Sequence, residues 1–406
     1  MRLLGILDKN DTEEFLVENE GKIFIDKSPN NKFDNYEFIK NRDKFIGNSE
    51  KKGKGVFNFR YGPVSAGVGQ AGVFNIKTYG ERILSVSIDP SYKKRNIEQL
   101  MINKTPKDAL RLAESVCGNF AFSHSLAFSR AIENIYGLDT DENTKRIRVI
   151  ALELERIYNH IYVMARLSKG AAQNVLTSHL EWLFEESLRT NKLFSSERFL
   201  KNFNSIGAVN FSNINNIDTI KERIKILEEK FGELYQHSLK SWNFIDRIYK
   251  TASLTSKQAI SIGLTGPSLR ATGIGDDLRK NEDIYENFKA IIRTTGDALA
   301  RMEVRAYEIL HSCDIILTQL DKLQDETLKH HKKEQKDGAG VGYCESPSGI
   351  VAYYVELKNG LVDYVYISTP SVFGYKAFAD SFVGYIFTDF SFALDSFGIN
   401  FADCAR

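Results

Sequence analysis

The chain is poor in cysteine. It has four in 406 residues, Cys117, Cys313, Cys344 and Cys404, and no two stand in CxxC spacing. That excludes a disulfide framework and a self-contained zinc or iron–sulfur site, and it fits a reducing, cytoplasmic setting. Long apolar runs are also missing. The nearest candidate, Val372 to Leu394, is broken by Lys376, Asp380 and Asp389. It reads as a buried aromatic-rich helix and strand, not a membrane span. The opening Met1–Asp8 stretch is too short for a secretion signal, and Asp8 interrupts it. Membrane association is therefore expected through partner subunits. Neither sign of charge is in excess: the net charge is +1. This gives no footprint for a nucleic acid or another polyanion. Internal repeats and low-complexity tracts are absent.

The apolar and charged fractions, 42% and 26%, are those of a globular protein with a sizeable core. Residues 1–55 are polar and rich in lysine and asparagine, with short strand-like pieces such as Gly21–Ile25 and a closing loop, Lys51–Gly55. They read as a small α/β appendage. Residues 56–104 alternate apolar and polar around glycines, as a β-rich unit does. From Thr105 to about residue 325 the apolar spacing is helical. Thr105-Pro106 is a helix start. A long helix is expected over Lys145–Leu167, closing near Gly170, and further helices over 174–198, 217–250 and 282–323. Lys329–Asp337 reads as a solvated charged loop. Over 338–406, Gly349–Glu356 and Leu361–Ile367 flank the Lys358-Asn-Gly360 turn, a hairpin signal, followed by a tail. The fold class is α+β, mainly α: a long-helix bundle with small β elements at both ends.

Six blocks carry the chemistry. They are Arg60-Tyr-Gly-Pro-Val-Ser-Ala-Gly67, Tyr92-Lys-Lys-Arg-Asn-Ile-Glu98, Val116-Cys-Gly-Asn-Phe-Ala-Phe-Ser-His-Ser125, Arg146–His160, Gly266–Tyr285 and Gly340–Gly349, and the chain closes on Ser396-Phe-Gly-Ile-Asn-Phe-Ala-Asp-Cys-Ala-Arg406. On their own they allow plain readings. Arg95 and Glu98 make a surface pair of small energetic weight. A lone Cys117 is a packed small hydrophobe. His124 is a core histidine or makes a helix hydrogen bond. Glu153, Arg156 and His160 stand at i, i+3 and i+7 and form one salt-bridged helix face. The glycine-rich 340–349 stretch precedes a hairpin and not a helix, so it is no nucleotide loop.

Taken in order, the blocks resemble the large subunit of nickel–iron hydrogenases and its relative, the quinone-site large subunit of respiratory complex I. The likeness is to the energy-converting branch, with degenerate nickel ligands. It runs from about Phe59 to Arg406 and implies one hydrogenase-like domain over 56–406. Of the four cysteine positions that hold nickel in that family, Cys117 alone keeps its thiol. Phe120, Asn400 and Asp403 fill the others, and Ser348 replaces an arginine that lies beside the family's iron. One thiolate is not the soft donor set nickel needs, so no metal and no nickel are expected in this chain.

The resemblance implies catalytic roles for Glu98, Cys117, His124 and Asp403. Glu98 stands where the family has its first proton relay. It implies a substrate cleft lined by Ser65, Lys94, Phe120 and Asn400, where Ser65 and Lys94 replace family histidines. It turns Glu153, Arg156 and His160 toward a partner subunit, or makes them a proton relay. The function so implied is a subunit of a complex-I-like oxidoreductase on the cytoplasmic face of the membrane. An iron–sulfur small subunit supplies electrons, quinone or a similar acceptor takes them, and antiporter-like membrane subunits and further hydrophilic subunits couple the reaction to ion translocation. The alternatives are a nickel–iron hydrogenase with unusual ligands and a non-catalytic structural paralogue.

Overall fold

The computed structural model describes residues 1–9, 12–27, 33–42, 53–65, 68, 70–211, 216–324 and 336–406, with the backbone of 46–47. Lys51, Lys52 and most of the Lys329–Asp337 loop lie outside the described residues.

Helices make the middle of the chain. Thr105 caps helix Pro106–Ala113 by accepting from the Asp108 N–H. Helix Ala121–Tyr136 follows, then helix Glu142–Gly170, which begins three residues earlier than the spacing alone indicates. Asp141 accounts for the difference, since its carboxylate accepts the Thr144 N–H at 2.9 Å. Helix Asn174–Ser195 ends as Ser196 turns left-handed, at φ 67°. The expected 217–250 helix is two, Ile217–Leu239 and Trp242–Ile248. The expected 282–323 helix starts late, at Ala298. Gly296 carries φ 65°, and the Asp297 carboxylate accepts the Ala300 N–H, so the cap is set there. Residues 282–297 are short turns and extended chain instead.

Three β units flank the bundle. Strands Arg2–Lys9, Thr12–Asn19 and Lys22–Asp26 form an antiparallel sheet. Its Leu4, Leu7 and Leu16 pack with Ile350, Ala352 and Tyr366. Strands Phe57–Tyr61, Val73–Tyr79 and Arg82–Asp89 form a second sheet with the short Ile46–Gly47 strand, and Phe57–Tyr61 is an outer edge. The third joins Gly338–Ser346, Gly349–Lys358 and Leu361–Ser368. The glycine-rich 340–349 stretch is therefore itself a strand. Its glycines let the strand lie directly on helix Ala121–Tyr136: a Cβ on Gly342 would stand 2.1 Å from the Ala131 nitrogen.

The Val372–Leu394 region is helix Pro370–Ser381 and helix Phe390–Ser396, each largely buried. The strand expected between them is reduced to a single bridge, Ile386 to Arg82, after a turn at Gly384, φ 96°. No helix among the described residues is long and apolar enough to cross a membrane.

Candidate functional site

The third sheet, the start of helix Ala121–Tyr136 and the 399–406 segment meet around His124, which is wholly buried. One ring nitrogen, Nδ1, lies 2.8 Å from the Tyr353 hydroxyl. The other, Nε2, lies 3.1 Å from Asp403 Oδ1. Burial, and next the charge of Asp403, push the Tyr353 phenol well above its ordinary pKa, so it stays protonated and donates. Hydrogen-bond complementarity then fixes the tautomer: Tyr353 donates to Nδ1, and Nε2–H donates to Asp403. Asp403 Oδ2 also accepts the Ser371 N–H at 3.2 Å. Phe120 stacks on the imidazole, with centroids 5.6 Å apart and planes 14° apart.

Three of the residues singled out in sequence, His124, Asp403 and Phe120, are thus in contact. Cys117 is buried close by. Burial first, and the Asp403 charge second, hold its thiol well above the usual range, so it is a thiol and not a thiolate. Asn400 is occupied by amides: its Oδ1 accepts from Gln70 and from Asn119, both at 2.9 Å. Ser348 donates to the Gly398 carbonyl at 2.6 Å.

The four positions do not fit nickel. One protonated thiol, one phenyl ring stacked on an imidazole, one amide already bonded twice and one carboxylate engaged by histidine give no soft tetrathiolate. Among the described residues no group of three or more His, Cys, Asp or Glu side chains is placed to hold a metal.

Among the described residues the cleft expected here is narrow. A cavity of about 40 Å³ lies between Gln70, Asn119, Tyr162, Arg166 and Asn400, room for about one water molecule. Outside the tail, a second hollow of about 300 Å³ is lined by Pro90, Lys93, Arg95 and Ala402. Gln70 and Phe401 line both. Lys94 is exposed on the surface turn Ser91–Lys94, and Ser65 is half-buried beyond the end of the edge strand, its carbonyl accepting from Val68.

Arg95 and Glu98 do not pair with each other. The Arg95 guanidinium donates to the carbonyls of Ser115 (2.8 Å), Val116 and Ala402, and its own N–H donates to the Ala405 carbonyl at 2.9 Å. It therefore ties the residue before Cys117 to the residue before Asp403. Glu98 accepts the Ile367 N–H at 2.8 Å, with Arg42 and Arg406 each 3.6 Å away. Both residues anchor the 401–406 segment. Arg95→Ala is expected to loosen that segment alone. Alkylation of the buried Cys404 should rise by about tenfold or more while Cys313 and Cys344 stay protected, as local opening allows; equal protection in the variant would remove Arg95 from this role.

Glu153, Arg156 and His160 are all fully buried within this chain. This helix face is turned inward and feeds a buried network. Glu153 accepts from Arg156, Arg279, Tyr285 and Ser312. Arg156 also donates to the Glu345 carbonyl at 2.7 Å. His160 accepts from Arg305 at Nδ1 and donates to Glu308 from Nε2, 2.9 Å away. Burial lowers its pKa to about 3, which leaves it neutral, as this pairing requires. Arg270 joins Glu308, Asp277 and Glu345 at 2.8–3.0 Å.

One further buried carboxylate, missed in sequence, lies between the network and the His124 site. Glu155 accepts the N–H groups of Phe122 (2.7 Å) and Ser123 (3.0 Å) and the Ser123 hydroxyl. Burial raises its pKa to about 7 in spite of these bonds. Near pH 6 the folded chain therefore holds a proton that the unfolded chain, at the ordinary carboxylate value of about 4.3, has released. That contribution to stability is full below the unfolded value and is lost as pH rises through about 7. Relative to Glu155→Gln, the wild-type chain is expected to lose stability between about pH 5 and pH 8; a constant difference in urea unfolding across that range contradicts the assignment.

The fold and site define a class: a large helical bundle in which a β-hairpin, a helix start and a C-terminal segment converge on a buried histidine. The Nickel-dependent hydrogenase family model matches residues 95–169, and the model of the Respiratory-chain NADH dehydrogenase, 49 Kd subunit, matches residues 178–337. The chain therefore carries a segment similar to each of these two families. It is 28% identical to the membrane-bound hydrogenase subunit alpha of Pyrococcus furiosus, over 74% of this chain and 75% of that protein. It is 26% identical to an NADH-quinone oxidoreductase subunit of Koribacter versatilis, over 80% and 90%. It is 25% identical to an F(420)H(2) dehydrogenase subunit of Methanosarcina mazei, over 73% and 80%. A chain of the membrane-bound sulfane sulfur reductase, an archaeal respiratory membrane complex, has the same fold. Its TM-score is 0.81 at 21% identity, over 88% of this chain and 100% of that one. These relatives are oxidoreductase subunits that act within complexes, and this chain is a subunit of that class.

Proposed function

We propose that the chain is the large subunit of a nickel-free, membrane-associated oxidoreductase complex. It takes electrons from an iron–sulfur cluster in a small partner subunit and delivers them, with protons, to a quinone or a sulfur compound. The complex lies on the cytoplasmic face of the membrane, and antiporter-like partners couple the reaction to ion translocation. The observation that carries the reading is the Tyr353–His124–Asp403 hydrogen-bonded chain, standing where a nickel site would need thiolates. A carboxylate paired to an imidazole can move a proton near neutral pH. The chain's own residues supply the proton: Asp403 and His124 hold and pass it, Tyr353 fixes the imidazole tautomer, and Phe120 excludes water. The cavity of about 40 Å³ beside Asn400 is too small for such an acceptor, so this reading includes movement of the 399–406 segment or Gln70.

That same small cavity favours a second reading, a non-catalytic paralogue that holds a complex together. Purified complex assayed with a short-chain quinone and with polysulfide separates the two. Reduction of either supports the first reading, no turnover with both supports the second, and hydrogen uptake contradicts both.

A further inference from the structure

The proposed chemistry needs protons, yet neither the His124 nor the Asp403 side chain has any solvent exposure. Two carboxylates already described open no route to them. Glu155 is itself fully buried, and Glu98 is engaged by the Ile367 N–H, Arg42 and Arg406. Asp395 is placed differently. It lies on helix Phe390–Ser396 and lines the cavity of about 40 Å³ beside Asn400, as the one carboxylate among the described lining residues. Its side chain keeps 14% exposure and that of its partner Arg166 24%, so this end of the cavity meets solvent. Gln70, Asn119, Tyr162, Tyr375 and Asn400 line the rest with polar groups. A polar cavity of this size holds about one water, and these side chains are the partners that a buried water needs.

Helix Pro370–Ser381 carries the cavity toward Asp403. The Ser371 N–H donates to Asp403 Oδ2 at 3.2 Å, and the Ser371 hydroxyl accepts the Asn400 N–H at 3.1 Å. Tyr375 stands one turn further on the same helix face, and it lines the cavity. Burial first, then the Cys404, Asp395 and Asp403 groups, push its phenol well above the ordinary pKa. The hydroxyl therefore stays protonated, within electrostatic reach of both carboxylates. A hydroxyl can accept one proton while it donates its own. At the outer end, Arg166 bonds both Asp395 oxygens, at 2.9 and 3.3 Å, and Tyr162 bonds Arg166. Arg301 and Arg305 are turned instead to the Ser396 hydroxyl and the Phe397 carbonyl. Burial raises the Asp395 pKa to about 6 against the opposing Arg166 charge. Its carboxyl can thus both hold and release a proton near neutral pH.

We propose that Asp395 is the proton entry of this site: it takes a proton from solvent and passes it, through water in the cavity and the Tyr375 hydroxyl, to Asp403. One proton enters at Asp395, one arrives at Asp403, and no electron moves along the route. Asp395 acts through Asp403 and does not touch the acceptor. Its purpose rests on the proposed reaction, while the route itself can be read without turnover.

The test uses the full chain labelled on histidine nitrogen, in which the His124 Nε2–H signal is the one missing from His124→Phe. In Asp395→Asn, exchange of this hydrogen with water is expected to slow by about tenfold or more, because an amide cannot carry the proton. Arg166→Gln breaks the same ion pair and keeps the acid, so exchange there should be no slower than in the wild-type chain. Unchanged or faster exchange in Asp395→Asn overturns the proposal. Equal slowing in both variants also overturns it and makes the effect structural. In the assembled complex, Asp395→Asn should lower acceptor reduction and remove the bend of the wild-type rate near pH 6; a wild-type pH profile in that variant counts against the role. A wild-type complex that reduces neither quinone nor polysulfide defeats the proposed function, and the exchange result on the chain still decides the route.

Discussion

Arg270→Leu is expected to destabilise the chain by about 3–5 kcal/mol, the scale for removing one partner from a buried ion network. Arg270 is fully buried, and its guanidinium serves Glu308, Asp277 and Glu345 together. Leucine leaves three carboxyl groups facing one another with fewer cations between them. Glu345→Gln should be far milder. Burial, and next the charge of Asp277, raise the Glu345 carboxyl to about 7, so near neutral pH it carries a full charge only part of the time. Thermal and urea unfolding of both variants check the contrast. Equal losses from the two would mean that the network acts through shape and not through charge balance. The network also explains the helix face of Glu153, Arg156 and His160: its charges are matched inside the chain, so they fix the packing of the Glu142–Gly170 and Ala298–Asp321 helices.

Asp403→Asn is expected to lower acceptor reduction by about 10²- to 10⁴-fold, the range for loss of a general acid or base. Asparagine keeps one acceptor oxygen for the Ser371 N–H and can donate from its NH2 group to His124 Nε2 in the other tautomer, so the segment should stay folded, but an amide cannot take the proton. Co-purification of the partner subunits controls for assembly. Wild-type rates from an assembled Asp403→Asn complex would remove Asp403 from the chemistry and leave it as a structural acceptor. The comparison variant is His124→Phe, which deletes the relay and leaves the buried Asp403 with the Ser371 N–H.

Much of this architecture is legible in the sequence because local signals agree with the fold. Thr105-Pro106 starts a helix, the Lys358-Asn-Gly360 turn makes a hairpin, and the six ordered blocks carry the family likeness. The failures have particular causes. Periodicity starts the 282–323 helix too early because it extends through Tyr285 and Ile292, while Asp297 decides the true start. The strand near Ile386 is overestimated because aromatic content does not distinguish a strand from a packed turn. Glu98 takes its expected role from the family, and spacing cannot show that Ile367, Arg42 and Arg406 engage it. Tyr353 escapes notice although its strand is found. Alternation along Gly349–Glu356 marks which side chains share a face, but not that one hydroxyl meets a histidine 229 positions away. Long-range polar pairings of this kind leave no local trace.

Electron transfer through a site without nickel is tested most directly by elemental analysis of the natively purified complex. Iron without nickel is the predicted result, with the iron in partner-subunit clusters that feed the Tyr353–His124–Asp403 site. Nickel near one per chain would contradict it and would mean that Cys117 and Asp403 hold a metal after all.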